Sequence, residues 1–340
     1  MDWGIKGHEW AERLLRGHIS RGEVRHAYLF TGPPGVGRRT LALSFARALN
    51  CLQPPAPGEF CGTCRICRQT EAMQHSDLAV VQAEADSAVI KVEQIRELQH
   101  SLALLPYEAR YRVALLLNFQ TANPNAQNAL LKTLEEAPRR VILLLTADSA
   151  ENLLPTILSR CEVLRLRPMP LERLTNELEK LELPAPEARQ LAHLAGGRMG
   201  MALRLKDHQE LRDQRHGFLS DLLNLLTASR RERFSHAESI SKDRETLREI
   251  YSVWLSFWRD VMLRAAAPDL PIVNLDLENE INALARRVGL SSARACVTDL
   301  EKALGRLDQN LNTRLLTEVL LLDWPIITPA REAMAEEDFA

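Results

Sequence analysis

The chain has no run of about 18 consecutive apolar residues, so no stretch of it reads as a membrane-spanning helix. Its opening, MDWGIKGHEW, does not read as a secretory signal. The expectation is a soluble, cytoplasmic protein with no membrane partner. A basic surplus is missing too: 43 Lys and Arg stand against 45 Asp and Glu, for a formal net charge of −2. That balance excludes the whole-chain positive footprint of non-specific DNA binding, and leaves any nucleic-acid contact local or shared with partners. Cysteine is sparse at six residues, four of them inside 51–67, and such a set does not read as a secreted disulfide framework. The 46% hydrophobic fraction supports ordinary cores, and 340 residues suggest two or three domains.

A further absence lies inside the most informative motif. Residues 26–40, HAYLFTGPPGVGRRT, run from an apolar strand into a glycine loop and then a helix. The phosphate-binding pattern is G-x-x-x-x-G-K-[ST], in which backbone N–H groups cradle phosphate, the lysine reaches the β- and γ-phosphates, and the hydroxyl holds Mg²⁺. Gly32, Gly35 and Gly37 keep the loop, but Arg38 takes the lysine position and Arg39 the hydroxyl position. Arginine retains charge yet offers a bulky planar fork and no oxygen to a metal. Thr40 comes one place late, about 100° round the helix. The expectation is a nucleotide-binding architecture that binds no ATP, with Arg38 in a solvated or salt-bridged helix start; an anion held on the loop N–H groups is the alternative.

The third apolar strand, RVALLLN at 112–118, extends this reading. Its continuous apolar run suits a parallel sheet covered on both faces. An active P-loop ATPase ends that strand in carboxylates, one for Mg²⁺ and one for water; here it ends in Asn118 and Phe119, neither of which can do either task.

The cysteines read as a metal site. Cys51, then Cys61, Cys64 and Cys67 in C-G-T-C-R-I-C, offer four thiolates with the Cys-x-x-Cys step that lets neighbours face one tetrahedral ion. Zinc is expected, in a structural role because four protein ligands leave no open position. An iron–sulfur cluster would want a fourth cysteine soon after Cys67, and reduced free thiols are the plain alternative. Cys161 and Cys296 read as packed thiols.

Other segments are set by periodicity. Residues 9–20 carry Trp10, Leu14, Leu15 and Ile19 at helical spacing and are expected to pack on the sheet edge. LAVVQ at 78–82 reads as a strand, and the helix after it presents Val92, Ile95, Leu98 and Leu102. Residues 125–138, NAQNALLKTLEEAP, form a proline-closed helix, with Glu135 and Glu136 at its end read as packing or interface residues. VILLLTAD follows as a strand. Residues 208–330 read as all helix, and Ile250, Val253, Trp254, Phe257, Trp258 and Val261 form one broad face that suits a bundle core better than a base-stacking platform.

Taken in order, HAYLFTGPPGVG, the four-cysteine insert straight after the P-loop helix, NALLKTLEEAP and ILSRC resemble the clamp-loader subunits of bacterial DNA polymerase III, in detail over the first half and loosely beyond it. The resemblance implies an α/β AAA+ domain with a parallel sheet of P-loop type at 1–168, with a zinc insert at 51–67, a small helical lid at 169–207 and an all-α collar at 208–330. The acidic end, 331–340, reads as a frayed tail. The family includes an ATPase motor, tau/gamma, and a non-motor delta-prime branch. The missing lysine, hydroxyl and carboxylates point to the second.

In that family the arginine matching Arg160, in Ser159-Arg160-Cys161, is a finger that reaches into a neighbour's ATP site; alone it would read as a surface arginine. Thr146 matches the phosphate-sensing position and is read here as a strand-end hydrogen-bonder. The sensor-2 position falls on Gly200, with Arg198 two residues before it. The implied partners are tau/gamma and delta subunits and the sliding clamp in a five-subunit ring, with primed DNA reached through the assembled ring. Such a chain belongs to the polymerase holoenzyme without ATPase activity of its own. An active tau/gamma-like ATPase is one alternative. A zinc-dependent nucleic-acid module is the other, and only Arg65, Arg68 and Phe60 in the insert speak for it.

Overall fold

The computed structural model describes residues 3–84, 87, 89–307, 309 and 311–327, so the acidic end at 331–340 lies outside the described residues. The chain divides into two compact units, Met1–Leu174 with Gly197–Met201, and Thr175–Gly196 with Ala202–Ala340.

The first unit is α/β. Its elements are α1 (Glu9–Arg21), β1 (Ala27–Thr31), α2 (Arg38–Asn50), α3 (Arg65–Glu71), β2 (Leu78–Val81), α4 (Val92–Leu102), β3 (Arg112–Leu116), α5 (Pro124–Glu135), β4 (Val141–Ala147), α6 (Pro155–Leu158) and β5 (Glu162–Arg165). The strands form one parallel sheet in the order β2-β3-β4-β1-β5. This is the parallel, helix-covered α/β sheet expected from the sequence.

Because side chains alternate across a strand, the apolar runs feed two cores at once. Tyr28, Phe30, Val113, Leu115, Ile142 and Leu144 face Leu41 and Phe45 of α2. Leu29, Ala114, Leu116, Leu143 and Leu145 face Ile95 and Leu98 of α4 and Leu130 of α5. In helix α1, Ala11 and Leu15 join the core formed with Tyr28 and α2. His18 Nδ1 lies 2.9 Å from the Tyr28 hydroxyl. Trp10, beside that stripe, is left exposed. The short strand β5 is not legible in the sequence, because of its four residues only Leu164 is fully buried and Glu162 and Arg165 interrupt the apolar pattern.

The second unit is all helical. Helices α7 (Leu171–Glu179) and α9 (Met199–Asp207) carry the chain across the division, with α8 (Ala185–Ala195) between them. Then follow α10 (Gln209–Thr227), α11 (Arg230–Ile240), α12 (Arg244–Ala266), α13 (Glu278–Arg306) and α14 (Thr313–Leu322). The aromatic face of α12 is core: Trp254, Phe257 and Trp258 are fully buried with Ile281, Leu300 and Trp324. Trp254 and Trp258 meet the Trp324 ring edge-on at 5.0 and 5.8 Å. No indole is left on that face for a base.

One charge is built into this core. Arg233 is 2% exposed and donates to the carbonyls of Leu225, Leu321, Trp324 and Pro325 at 2.6–3.0 Å. These carbonyls lie at or near the ends of α10 and α14, where helix carbonyls have no intrahelical partner, so a single guanidinium ties two chain ends together. Replacing it with an apolar chain of similar length strands several buried acceptors. Arg233→Met should lower stability by about 2–4 kcal/mol, read as an earlier denaturant midpoint in tryptophan fluorescence. An unchanged midpoint would show that these four bonds contribute nothing net.

Candidate functional site

The glycine loop leaves β1 at its carboxyl end, and its geometry demands glycine. Gly32 has φ 147°, and a Cβ there would sit 2.3 Å from the Leu166 carbonyl oxygen. Gly35 (φ 82°) and Gly37 (φ 110°) are also left-handed. The loop is fastened from several sides. The Gly32 N–H donates to Ala147 O at 3.2 Å, and His8 Nε2 lies 2.9 Å from Val36 O. The start of α9 presses on the loop apex: the Gly200 N–H donates to Gly35 O at 2.9 Å, and Arg198 Nη1 donates to Pro34 O at 3.4 Å. Both sensor-2 candidates therefore touch the loop, one through backbone and one through side chain.

Arg38, the residue at the lysine position, is turned inward and only 9% exposed. Its Nη2 donates to Asn118 Oδ1 at 3.2 Å, and its Nη1 is buried without a hydrogen bond. Burial lowers its pKa, with the Asp148 carboxylate acting the other way. Asn118 itself is left-handed (φ 49°), which asparagine tolerates. Its N–H donates to Thr146 Oγ1 at 2.8 Å. Thus the P-loop helix, the end of β3 and the end of β4 are joined by a neutral amide, a hydroxyl and a guanidinium. Arg39 and Thr40 lie on the exposed side of α2, outside this junction, and Phe119 is core.

The four cysteines come together. One sulfur from each of Cys51, Cys61, Cys64 and Cys67 lies within 4.8 Å of all the others. A tetrahedral zinc with Zn–S near 2.3 Å needs sulfurs about 3.8 Å apart, so small inward movements suffice. Backbone N–H groups already point at sulfur: Cys61 N to Cys51 at 3.2 Å, Cys64 N to Cys61 at 3.3 Å and Cys67 N to Cys64 at 3.5 Å. The Cys64 and Thr63 N–H groups pull the Cys61 thiol down to about 6, whereas burial pushes Cys51 and Cys67 up. A cation resolves that conflict by favouring four thiolates together. The donor set thus fits a closed, structural zinc ion. The insert is docked on α2, with the Arg47 guanidinium 4.2 Å from the Phe60 ring centroid and Arg47 Nη1 3.1 Å from Glu71. In contrast, Cys161 and Cys296 are thiols pushed up to about 12 by burial, as packed cysteines should be.

Arg160 follows α6 and precedes β5. Since β1 and β5 are parallel and paired from Tyr28–Glu162 to Thr31–Arg165, the residues before β5 and the loop after β1 lie at opposite edges of the sheet. The separation along the strands is roughly 16 Å at 3.3 Å per residue. Arg160 is partly exposed, and its Nη2 lies 2.6 Å from Glu135 Oε1. Its Nη1 donates to Thr156 O at 2.9 Å and Ser159 Oγ at 3.3 Å. Beside it is an open hollow of about 710 Å³ bordered by Arg25, His26, Ser159 and Glu162.

A family model described as DNA polymerase III, delta subunit, matches residues 7–170, and one for the C-terminal part of that subunit matches residues 209–325. The delta′ subunit of DNA polymerase III from Pseudomonas aeruginosa is 32% identical over 326 residues, covering 93% of this chain and 96% of its own length. The chain belongs to the DNA polymerase III delta′ family. The delta′ subunit of Bacillus subtilis is 28% identical over 91% of this chain and 94% of its own. The tau subunit of Escherichia coli is 35% identical, but over 62% of this chain and only 32% of its own length. The likeness to delta′ thus runs through both units, whereas that to E. coli tau covers less of the chain.

Reading residues one at a time missed three partnerships in this delta′-family chain: Arg38 with Asn118, Gly200 with Gly35, and Arg160 with Glu135. The doubled change at Arg38 and Asn118, lysine and carboxylate lost together, was the available signal for the first. Nothing in the sequence signalled the other two.

Metal analysis of the purified chain should return one zinc, and Cys64→Ser should lower both zinc content and the thermal stability of the first unit while the helical unit stays folded. Iron in place of zinc, or full zinc occupancy in the variant, would refute the four-thiolate site.

Proposed function

We propose that this chain is the non-motor, delta′ subunit of a DNA polymerase III clamp loader. In this reading it sits in a five-subunit ring in the cytoplasm with tau/gamma and delta subunits, hydrolyses no ATP itself, and lends Arg160 to a neighbouring motor subunit while the ring loads the sliding clamp on primed DNA. The division into an AAA+ domain at 1–168, a lid at 169–207 and a collar at 208–330 belongs to the same reading, as does structural zinc in the insert at 51–67.

The observation that carries the proposal is the placement of Arg160. It stands on the sheet edge opposite its own glycine loop, beside an open hollow, where it can serve only a nucleotide brought by another chain. The glycine loop supports the other half of the reading. Arg38 lies across the junction where an active site would keep Mg²⁺ and the γ-phosphate, Asn118 brings no negative charge to hold a metal, and Arg39 brings no oxygen at the hydroxyl position. A guanidinium held opposite a neighbour's γ-phosphate stabilises charge as it develops in the transition state, and such a finger supplied in trans is worth roughly 10³–10⁵ in rate at its own site.

Calorimetric titration of the isolated chain with ATP and Mg²⁺ should show no micromolar site. A saturable site of that strength, lost in Gly37→Asp, would instead favour a self-sufficient ATPase. In a reconstituted loader, Arg160→Ala should leave folding and assembly intact because it removes no core packing. It should impair hydrolysis at the one motor site it faces, so that clamp loading falls more than total ATPase. Arg160→Lys should restore little, since a point charge cannot reproduce the planar fork. Wild-type loading by the Arg160→Ala complex would end the finger reading.

A further inference from the structure

We infer that Glu135 is a positioning residue for Arg160, holding its guanidinium in a fixed plane so that its remaining donors face an incoming phosphate; the inference rests on the finger reading above. A guanidinium has five N–H donors in a rigid fork. In this chain Nη2 is engaged by Glu135 at 2.6 Å and Nη1 by the Thr156 carbonyl at 2.9 Å and the Ser159 hydroxyl at 3.3 Å. Three contacts fix the orientation of the plane, and two N–H groups remain for an oxyanion. The hollow beside Arg160 leaves that approach open.

Glu135 stands on a firm base. It is the last residue of α5, next to Leu134, which is buried in the core under the sheet. His26 Nε2 lies 2.9 Å from the Leu134 carbonyl oxygen, and the His26 carbonyl in turn accepts from the Leu143 N–H at 2.8 Å. The carboxylate is therefore referenced to β1 and β4 rather than to a loose surface turn. Its side chain is 50% exposed and that of Arg160 34%. An ion pair of that exposure contributes little to folding stability. Its use lies in restricting a long, many-rotamer side chain before the nucleotide arrives, which lowers the entropic cost of reaching the transition state.

The test uses the complete loader reconstituted with motor, delta and clamp subunits on primed template, with only the motor site facing this chain left active. Wild type, Glu135→Gln, Glu135→Asp, Arg160→Ala and the double variant Glu135→Gln/Arg160→Ala are compared for kcat and KM of ATP. Glu135→Gln should lower kcat about three- to tenfold with KM for ATP unchanged, Glu135→Asp should recover part of the loss, and the double variant should match Arg160→Ala alone. Circular dichroism and assembly of each variant should be unaltered, since Glu135 packs against nothing in the core. If Arg160→Ala leaves kcat unchanged, the finger reading fails and the positioning role with it. If Arg160→Ala is slow but Glu135→Gln is as fast as wild type or faster, the finger stands and Glu135 does not position it. A further loss from Glu135→Gln in the Arg160→Ala background would show that Glu135 acts through some other group, and would overturn the inference alone.

Discussion

A parallel strand pair has two unlike edges, and the pairing of β1 with β5 fixes what each edge of this sheet can do. The chain leaves β1 at the carboxyl edge into the glycine loop, and it enters β5 at the amino edge just after Arg160. No rotamer of Arg160 can cross a sheet whose strands are buried on both faces. The register therefore separates the glycine loop from Arg160.

The glycine loop takes its shape from contacts within the protein. The loop's conformation is enforced by crowding, with Gly32 against the Leu166 carbonyl and Gly35 against Gly200 and Met201. Those contacts all come from the protein's own backbone and side chains. Arg38 lies beside that loop at the start of α2. A buried guanidinium is tolerable only beside acceptors and some negative charge, and Asn118 Oδ1 and the Asp148 carboxylate provide them. With a carboxylate at position 118 the same arginine would form a buried ion pair; the amide gives a weaker junction that leaves one Nη unsatisfied.

The cysteine insert follows a different logic. Between Asn50 and Arg65 the chain has no helix or strand among the described residues, and a segment so short cannot bury enough apolar surface to define itself. Trp3, whose indole N–H donates to Gly58 O at 3.1 Å and whose ring meets both Phe45 and Phe60, and Phe60 under the Arg47 guanidinium dock it on the first core. The four sulfurs supply the rest of the order once a cation lets them ionise together. The four-sulfur cluster is thereby tied to the local fold and stands apart from both the glycine loop and Arg160.

Much of this protein was determined by local patterns. The apolar runs at β1, β3 and β4, the glycine spacing, the Cys-x-x-Cys steps and the aromatic face of α12 each need only neighbours in sequence to be recognised, because strand alternation, left-handed turns, ligand spacing and helical period are local properties. The exchange of lysine for Arg38 and of carboxylate for Asn118 was visible at the same level, and so was the kinship that both units share with delta′ subunits. What the tertiary structure alone decided are the pairings between distant residues. Strand β5, with one fully buried residue in four, exists because β1 offers an open edge. Helix α1 turns Ala11 and Leu15 inward in place of Trp10 because of where α2 lies. Arg38 meets Asn118 across 80 positions and Arg160 meets Glu135 across 25, and no periodicity links such residues. Their contacts arise only when parallel strands bring the ends of separate helices to one edge of a common sheet.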